Sequence, residues 1–126
     1  MTARPRTPPA PAPAVPAHVS AYVEALGVDT AMEFLCRFGG SQIYIARSPT
    51  ERSEAARAIG AQAVGKLARA LGPGYYKIPI AKRWIAQVLF SRGESLNAIA
   101  RIVRADVETV RRWRLADAEG EQLDLL

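Results

Sequence analysis

The side chains of this 126-residue chain best suited to chemistry lie within seven positions near its C-terminus: Glu108, Thr109, Arg111, Arg112 and Arg114. A guanidinium pairs bidentately with guanine O6 and N7 or grips a phosphate, and a threonine hydroxyl can meet a base edge. That chemistry is recognition of duplex DNA rather than bond making. Catalytic groups are poorly supplied: His18 is the only histidine and Cys36 the only cysteine. No Cys/His metal spacing, phosphate-cradling glycine loop or histidine-based triad accompanies them, so neither enzymatic activity, cofactor nor metal is expected. A single cysteine excludes an internal disulfide. The apolar helical pattern around Cys36 marks it as a core thiol rather than a nucleophile.

The elements that must position these arginines can be read from caps and spacing. Ser95 suits the N-cap of a short helix whose inward stripe is Leu96, Ile99, Ala100 and Val103. Arg104, Ala105 and Asp106 interrupt the stripe, and Asp106 is a good N-cap for a second helix that turns Val110 and Trp113 inward. Val107, Glu108, Thr109, Arg111, Arg112 and Arg114 then fall on its exposed side. Two short helices joined by such a turn form a helix-turn-helix, the geometry that lets the second helix enter a major groove. Arg104 stands where many such turns have glycine, and a left-handed conformation there costs on the order of 1 kcal/mol. Glu108, Thr109, Arg111 and Arg112 are expected at base edges. Lys82, Arg83, Arg101, Arg104 and Arg114 are expected at phosphates or on the domain surface. A supporting third helix, from Pro79 to about Arg92 and Gly93, carries Ile80, Trp84, Ile85, Val88 and Leu89 on one side. Trp84 and Trp113 would anchor the small core.

Charge is concentrated on the same segment. Residues 79–114 hold Lys82, Arg83, Arg92, Arg101, Arg104, Arg111, Arg112 and Arg114 against Glu94, Asp106 and Glu108, a surplus equal to the net charge of +5 for the whole chain. The last twelve residues contain Asp117, Glu119, Glu121 and Asp124 and no base. A cationic segment followed by an acidic tail suits a nucleic-acid binder whose tail is solvated or offered to a protein partner.

Residues 1–17 are rich in proline and alanine and are read as a disordered arm. Arg4 and Arg6 imitate a basic leader, but no apolar stretch follows, so a signal peptide is not expected. No apolar run reaches the roughly 18 residues of a membrane span, and a cytoplasmic protein without membrane partners is expected. A helix over 19–26, with Val19, Tyr22, Val23 and Leu26 on one side, should end at Gly27. Asp29 is placed to cap the next, whose apolar positions Met32, Leu35, Cys36 and Phe38 run to Gly39 and Gly40. Gln42, Ile43, Tyr44 and Ile45 have strand character, with Ile43 and Ile45 on one face and Tyr44 on the other. Ser48, Pro49 and Glu51 form a start signal for a helix running to Leu71 through Gly60 and Gly65. A second glycine break then leads into Tyr75, Tyr76, Lys77 and Ile78. The order of helix, glycine turn and short strand thus occurs twice, about 33 residues apart. Four-residue strands are not stable alone. They either pair with each other or with copies in a second subunit.

The run Phe38, Gly39, Gly40, Ser41, Gln42, Ile43, Tyr44, Ile45, with a later glycine turn, Ile78-Pro79 and a C-terminal helix-turn-helix, resembles the Mor family. Its members are transcription activators of Mu-like bacteriophages and their integrated relatives. The resemblance covers roughly residues 22–113. Ala46 stands where family members often have proline after the strand. The resemblance implies a homodimer, a strand-bearing linker near DNA containing Gly39, Gly40, Ile43, Tyr44 and Ile45, and recruitment of bacterial RNA polymerase.

The expected architecture is mainly α. A helical dimerisation region with short β segments spans residues 18–78, a three-helix helix-turn-helix domain 79–115, and an acidic tail 116–126. The expected function is a sequence-specific, double-stranded-DNA-binding transcriptional regulator, an activator of phage or prophage-like genes acting as a homodimer. Two arguments favour the dimer: paired half-sites double the bases read, and Tyr22, Leu26, Met32 and Leu35 form faces a small monomer would leave uncovered. A phage DNA-packaging or recombination accessory protein using the same motif is the alternative. A protein-interaction adaptor working through the arm and tail is a third.

Overall fold

The computed structural model describes residues 12–124, which are mainly helical with one two-stranded antiparallel sheet. They divide into two compact units, meeting in sequence between Ala81 and Lys82. The proline arm falls mostly in residues 1–11, outside the described residues; residues 12–16 are non-helical.

The first unit contains α1 (Ala17–Leu26), α2 (Val28–Phe38), β1 (Gln42–Ile45), α3 (Glu54–Ile59), α4 (Ala61–Leu71) and β2 (Gly74–Lys77). Gly27, at φ 79° and ψ 164°, lets the chain leave α1 and re-enter a helix within one residue. Asp29 therefore lies inside the first turn of α2 rather than capping it. Gly60 repeats the device at φ 91° and ψ 151°, so the helix expected to run unbroken to Leu71 is two, α3 and α4. Its start also differs. Ser53, not Ser48, is the N-cap, its hydroxyl accepting from the Ala56 N–H at 3.1 Å, because residues 50–53 close a turn first.

The buried stripe of α2 is Ala31, Phe34, Leu35 and Phe38, with Met32 at its margin. Phe34 stacks on Tyr22 at 6.0 Å and meets Phe38 at 5.1 Å between ring centroids. That stripe turns Cys36 to solvent, so the expected core thiol is exposed. β1 buries Ile43 and Ile45 and turns Gln42 and Tyr44 outward. It pairs antiparallel with β2 of the same chain, Ile43 opposite Tyr76 and Tyr44 opposite Tyr75. The strand partner is internal. Tyr22, Met32 and Leu35 are likewise buried within one chain, and Leu26 is half-buried. The strand partner and the cover for these side chains thus come from the same chain.

The second unit contains α5 (Lys82–Ser91), α6 (Leu96–Val103) and α7 (Val107–Asp124). Ile80, expected on the first of these, precedes it and is 60 % exposed. Each of the three helices packs on the other two. Trp84, Ile85, Val88, Ile99, Val103 and Val110 form the core. Trp113 is only half-buried, so Trp84 alone is the large anchor. α7 continues through Asp117 to Asp124, and much of the expected solvated tail is helical.

Candidate nucleic-acid interface

Three residues connect α6 to α7, and each has a definite role. Arg104 ends α6 in the left-handed conformation, at φ 56° and ψ 51°. The Ala105 N–H returns to the Ala100 carbonyl at 3.1 Å. The Asp106 carboxylate accepts from the Glu108 N–H at 3.0 Å, capping α7 as its position in the sequence demands. At the other end of α6, the Ser95 hydroxyl accepts from the Ala98 N–H at 3.1 Å. Lys82 Nζ donates to the Arg104 carbonyl at 3.1 Å, joining the start of α5 to the turn.

With Val110 fully buried, helical geometry places Glu108, Arg112 and Leu115 on the opposite side of α7 and Arg111 on its flank, and all four are exposed. Arg111 pairs with Glu108, and Arg112 Nη2 donates to Thr109 Oγ1 at 3.1 Å. Such exposed pairs contribute little to stability, roughly 0–1 kcal/mol, and are readily exchanged for an outside partner. The strip therefore offers two guanidiniums, each held only by an exposed contact of small energetic worth. Val107 and Thr109 are half-buried and flank it.

Other expected contacts are engaged elsewhere. Arg114 turns from the strip and lies over the Phe90 ring of α5, 5.3 Å from its centroid. Arg83 Nη2 is 2.8 Å from Asp117 Oδ1, while Gln87 Nε2 donates to Asp117 Oδ2 at 3.0 Å. Arg101 and Arg104 remain exposed. The clamp on Asp117 has no signal in the sequence: an acid near the chain end reads as tail unless α7 is known to extend that far. Leu115, 58 % exposed among the arginines, is a further member of the strip that spacing alone does not single out.

The strand residues form a separate group in the first unit. Gly39 makes close approaches: a Cβ there would stand 2.6 Å from the Leu35 carbonyl oxygen and 3.2 Å from that of Pro79. The Gly40 N–H donates to the Ile78 carbonyl at 2.8 Å, extending the ribbon. On the ribbon's outer face Tyr44 (51 % exposed) and Tyr75 (72 % exposed) lie with ring centroids 4.9 Å apart, beside the exposed pair Gln42 and Lys77. Tyr75 is the partner that register supplies and spacing alone does not. In α1, burial raises the Tyr22 hydroxyl pKa above its ordinary value, and Tyr76 adds to the effect.

Comparison with models of known families, with curated proteins and with solved structures finds no match for the chain. Among the described residues, no helix is long and apolar enough to cross a membrane. No group of three or more His, Cys, Asp or Glu among them is placed to hold a metal ion.

Proposed function

We propose that this protein is a sequence-specific, double-stranded-DNA-binding transcriptional regulator whose helix-turn-helix is α6 and α7, with α7 entering the major groove. The observation that carries the reading is the exposed strip of Glu108, Arg111 and Arg112, set on a capped helix after a three-residue turn. Arg111 and Arg112 exchange Glu108 and Thr109 for base edges, and Thr109 contributes a hydroxyl from the flank. Arg101 and Arg104 serve phosphates. Resemblance to the Mor family supports an activator of phage or prophage-like genes that recruits bacterial RNA polymerase, with the β1 segment near DNA.

Selection from random duplexes, followed by titration at low and moderate salt, tests this. A defined motif and a steep fall in affinity with salt are expected, since each neutralised phosphate releases counterions. Arg112→Ala should relax preference at one position by about 1–3 kcal/mol, whereas Arg101→Ala should weaken all sequences alike and reduce the salt slope by about one. Binding without preference, or indifferent to salt, contradicts the proposal. A footprint at a packaging or recombination end instead of a promoter identifies an accessory protein using the same helices.

A further inference from the structure

The first unit is built from one module used twice. Gly27 and Gly60, each joining two helices through the same unusual backbone, are 33 residues apart, as are Gly39 and Gly72 at the ends of α2 and α4. Burial follows the same offset. Ala31 and Val64 are fully buried, as are Phe34 and Leu67, and Ile45 and Ile78. Leu35 and Ala68 correspond too, and between the strands so do exposed Tyr44 and Lys77. Each module is helix, glycine, helix, glycine turn, strand.

The pairing between modules obeys a two-fold rotation. Ile43 faces Tyr76, its own counterpart at the 33-residue offset, so that pair lies on the axis. Rotation about it carries Tyr44 opposite Tyr75 into Lys77 opposite Gln42, and both pairs are observed. At the ribbon's end the Ile78 N–H donates to the Ser41 carbonyl at 2.8 Å, matching the pairing of Gly74 with Ile45. The helices agree: α1 packs on α4, and the rotated contact, α3 on α2, is present. Such reciprocity is the mark of a two-fold interface, here with both faces supplied by one chain.

We infer that residues 15–81 are an internal dimer of two modules, so that this unit needs no second copy and the protein meets DNA as one copy on one half-site. The first module's strand leads into residues 46–53 and then α3, while the second's leads to α5, α6 and α7. Two modules therefore share one DNA-reading unit. A chain with one module would need a second copy to pair its strand, and would bring two such units to an inverted repeat. This chain brings one. The half-site assignment rests on the DNA-binding reading above; the internal pairing does not.

Cross-linking decides where β1 finds its partner. In a Cys36→Ser background, Tyr44→Cys combined with Tyr75→Cys should oxidise within one chain, leaving a 13.7 kDa species at every concentration. Chains with Tyr44→Cys alone, mixed in dilute solution with chains with Tyr75→Cys alone, should give no heterodimer; one that forms overturns internal pairing. Sedimentation of the unaltered chain tests separately whether the protein is a single-chain particle. A 13.7 kDa particle supports the inference, and one twice that mass overturns it. Selected duplexes should carry one copy and a motif lacking inverted symmetry. Two copies on an inverted repeat overturn the half-site assignment. A single-chain particle that binds no DNA overturns that assignment and the regulator reading together, and supports the internal pairing.

Discussion

Lys82 Nζ and the Arg104 carbonyl oxygen stand 3.1 Å apart, so the first residue of α5 holds the one left-handed non-glycine residue found among those described. The bond fastens the turn that sets the direction of α7. It also engages two cations expected at phosphates. Lys82 has a protein partner, and the Arg104 backbone is fixed while its side chain stays exposed.

Arg104→Gly should relieve the left-handed conformation, raising stability by up to about 1 kcal/mol. Because the Lys82 bond goes to the backbone, it survives the substitution. Thermal unfolding should shift upward by a few degrees. Affinity should fall slightly and equally for all duplexes, as one exposed cation is lost. A lower unfolding temperature would show that the side chain has a structural role beyond the turn.

Asp117→Asn should release Arg83 and weaken the bond from Gln87. The pair is partly exposed, its side chains being 50 % and 27 % accessible, so the loss should stay below about 1 kcal/mol. Removing an acid and freeing a guanidinium on a cationic unit should strengthen DNA binding and steepen its salt dependence. Unchanged binding and salt slope would mean that Arg83 lies away from the duplex.

The parts legible in the sequence are those fixed by local chemistry. Ser95 and Asp106 cap as their types dictate, Gly27 ends a helix, and alternation in β1 places Tyr44 outward. Where several local signals compete, packing decides. Ser48 and Pro49 offer a start signal, but the chain closes another turn first and Ser53 takes the cap. Cys36 fits one apolar stripe and Phe34 another, farther round the helix; the larger ring gains the core and the thiol is turned out. The repeated order of elements is visible, but not that its copies face each other, since register depends on contacts between residues some thirty positions apart. At the candidate interface, periodicity places Arg111 and Arg112. The turning of Arg114 toward Phe90 depends on how α5 packs, which periodicity does not encode.

Two glycines should respond in opposite senses to alanine. Gly39→Ala drives a Cβ to 2.6 Å from the Leu35 carbonyl oxygen, a backbone atom that cannot rotate aside, so the end of α2 and the start of the ribbon must shift. Gly65 lies within α4, where an added Cβ would find only the Arg69 side chain, 3.9 Å away. Gly65→Ala should therefore stabilise by up to about 1 kcal/mol through helix propensity alone. Denaturant unfolding of the two variants measures both. Equal effects would contradict the close approach at Gly39.

Stability should depend on pH at the alkaline end through Tyr22. Burial against Phe34, with Tyr76 adding to it, favours the neutral phenol, so the folded-state pKa lies above the ordinary value of 10.0. Below that value both states keep the proton and the stabilisation is fully present. As pH rises through it the unfolded chain ionises first, and stability falls until the folded-state pKa is passed. Tyr22→Phe removes the ionisable group while keeping the ring, and should flatten this part of the decline. Unfolding followed from about pH 8 to about pH 11 in both proteins brackets the ordinary tyrosine range and checks it. Parallel curves would show that another tyrosine or a lysine governs the slope.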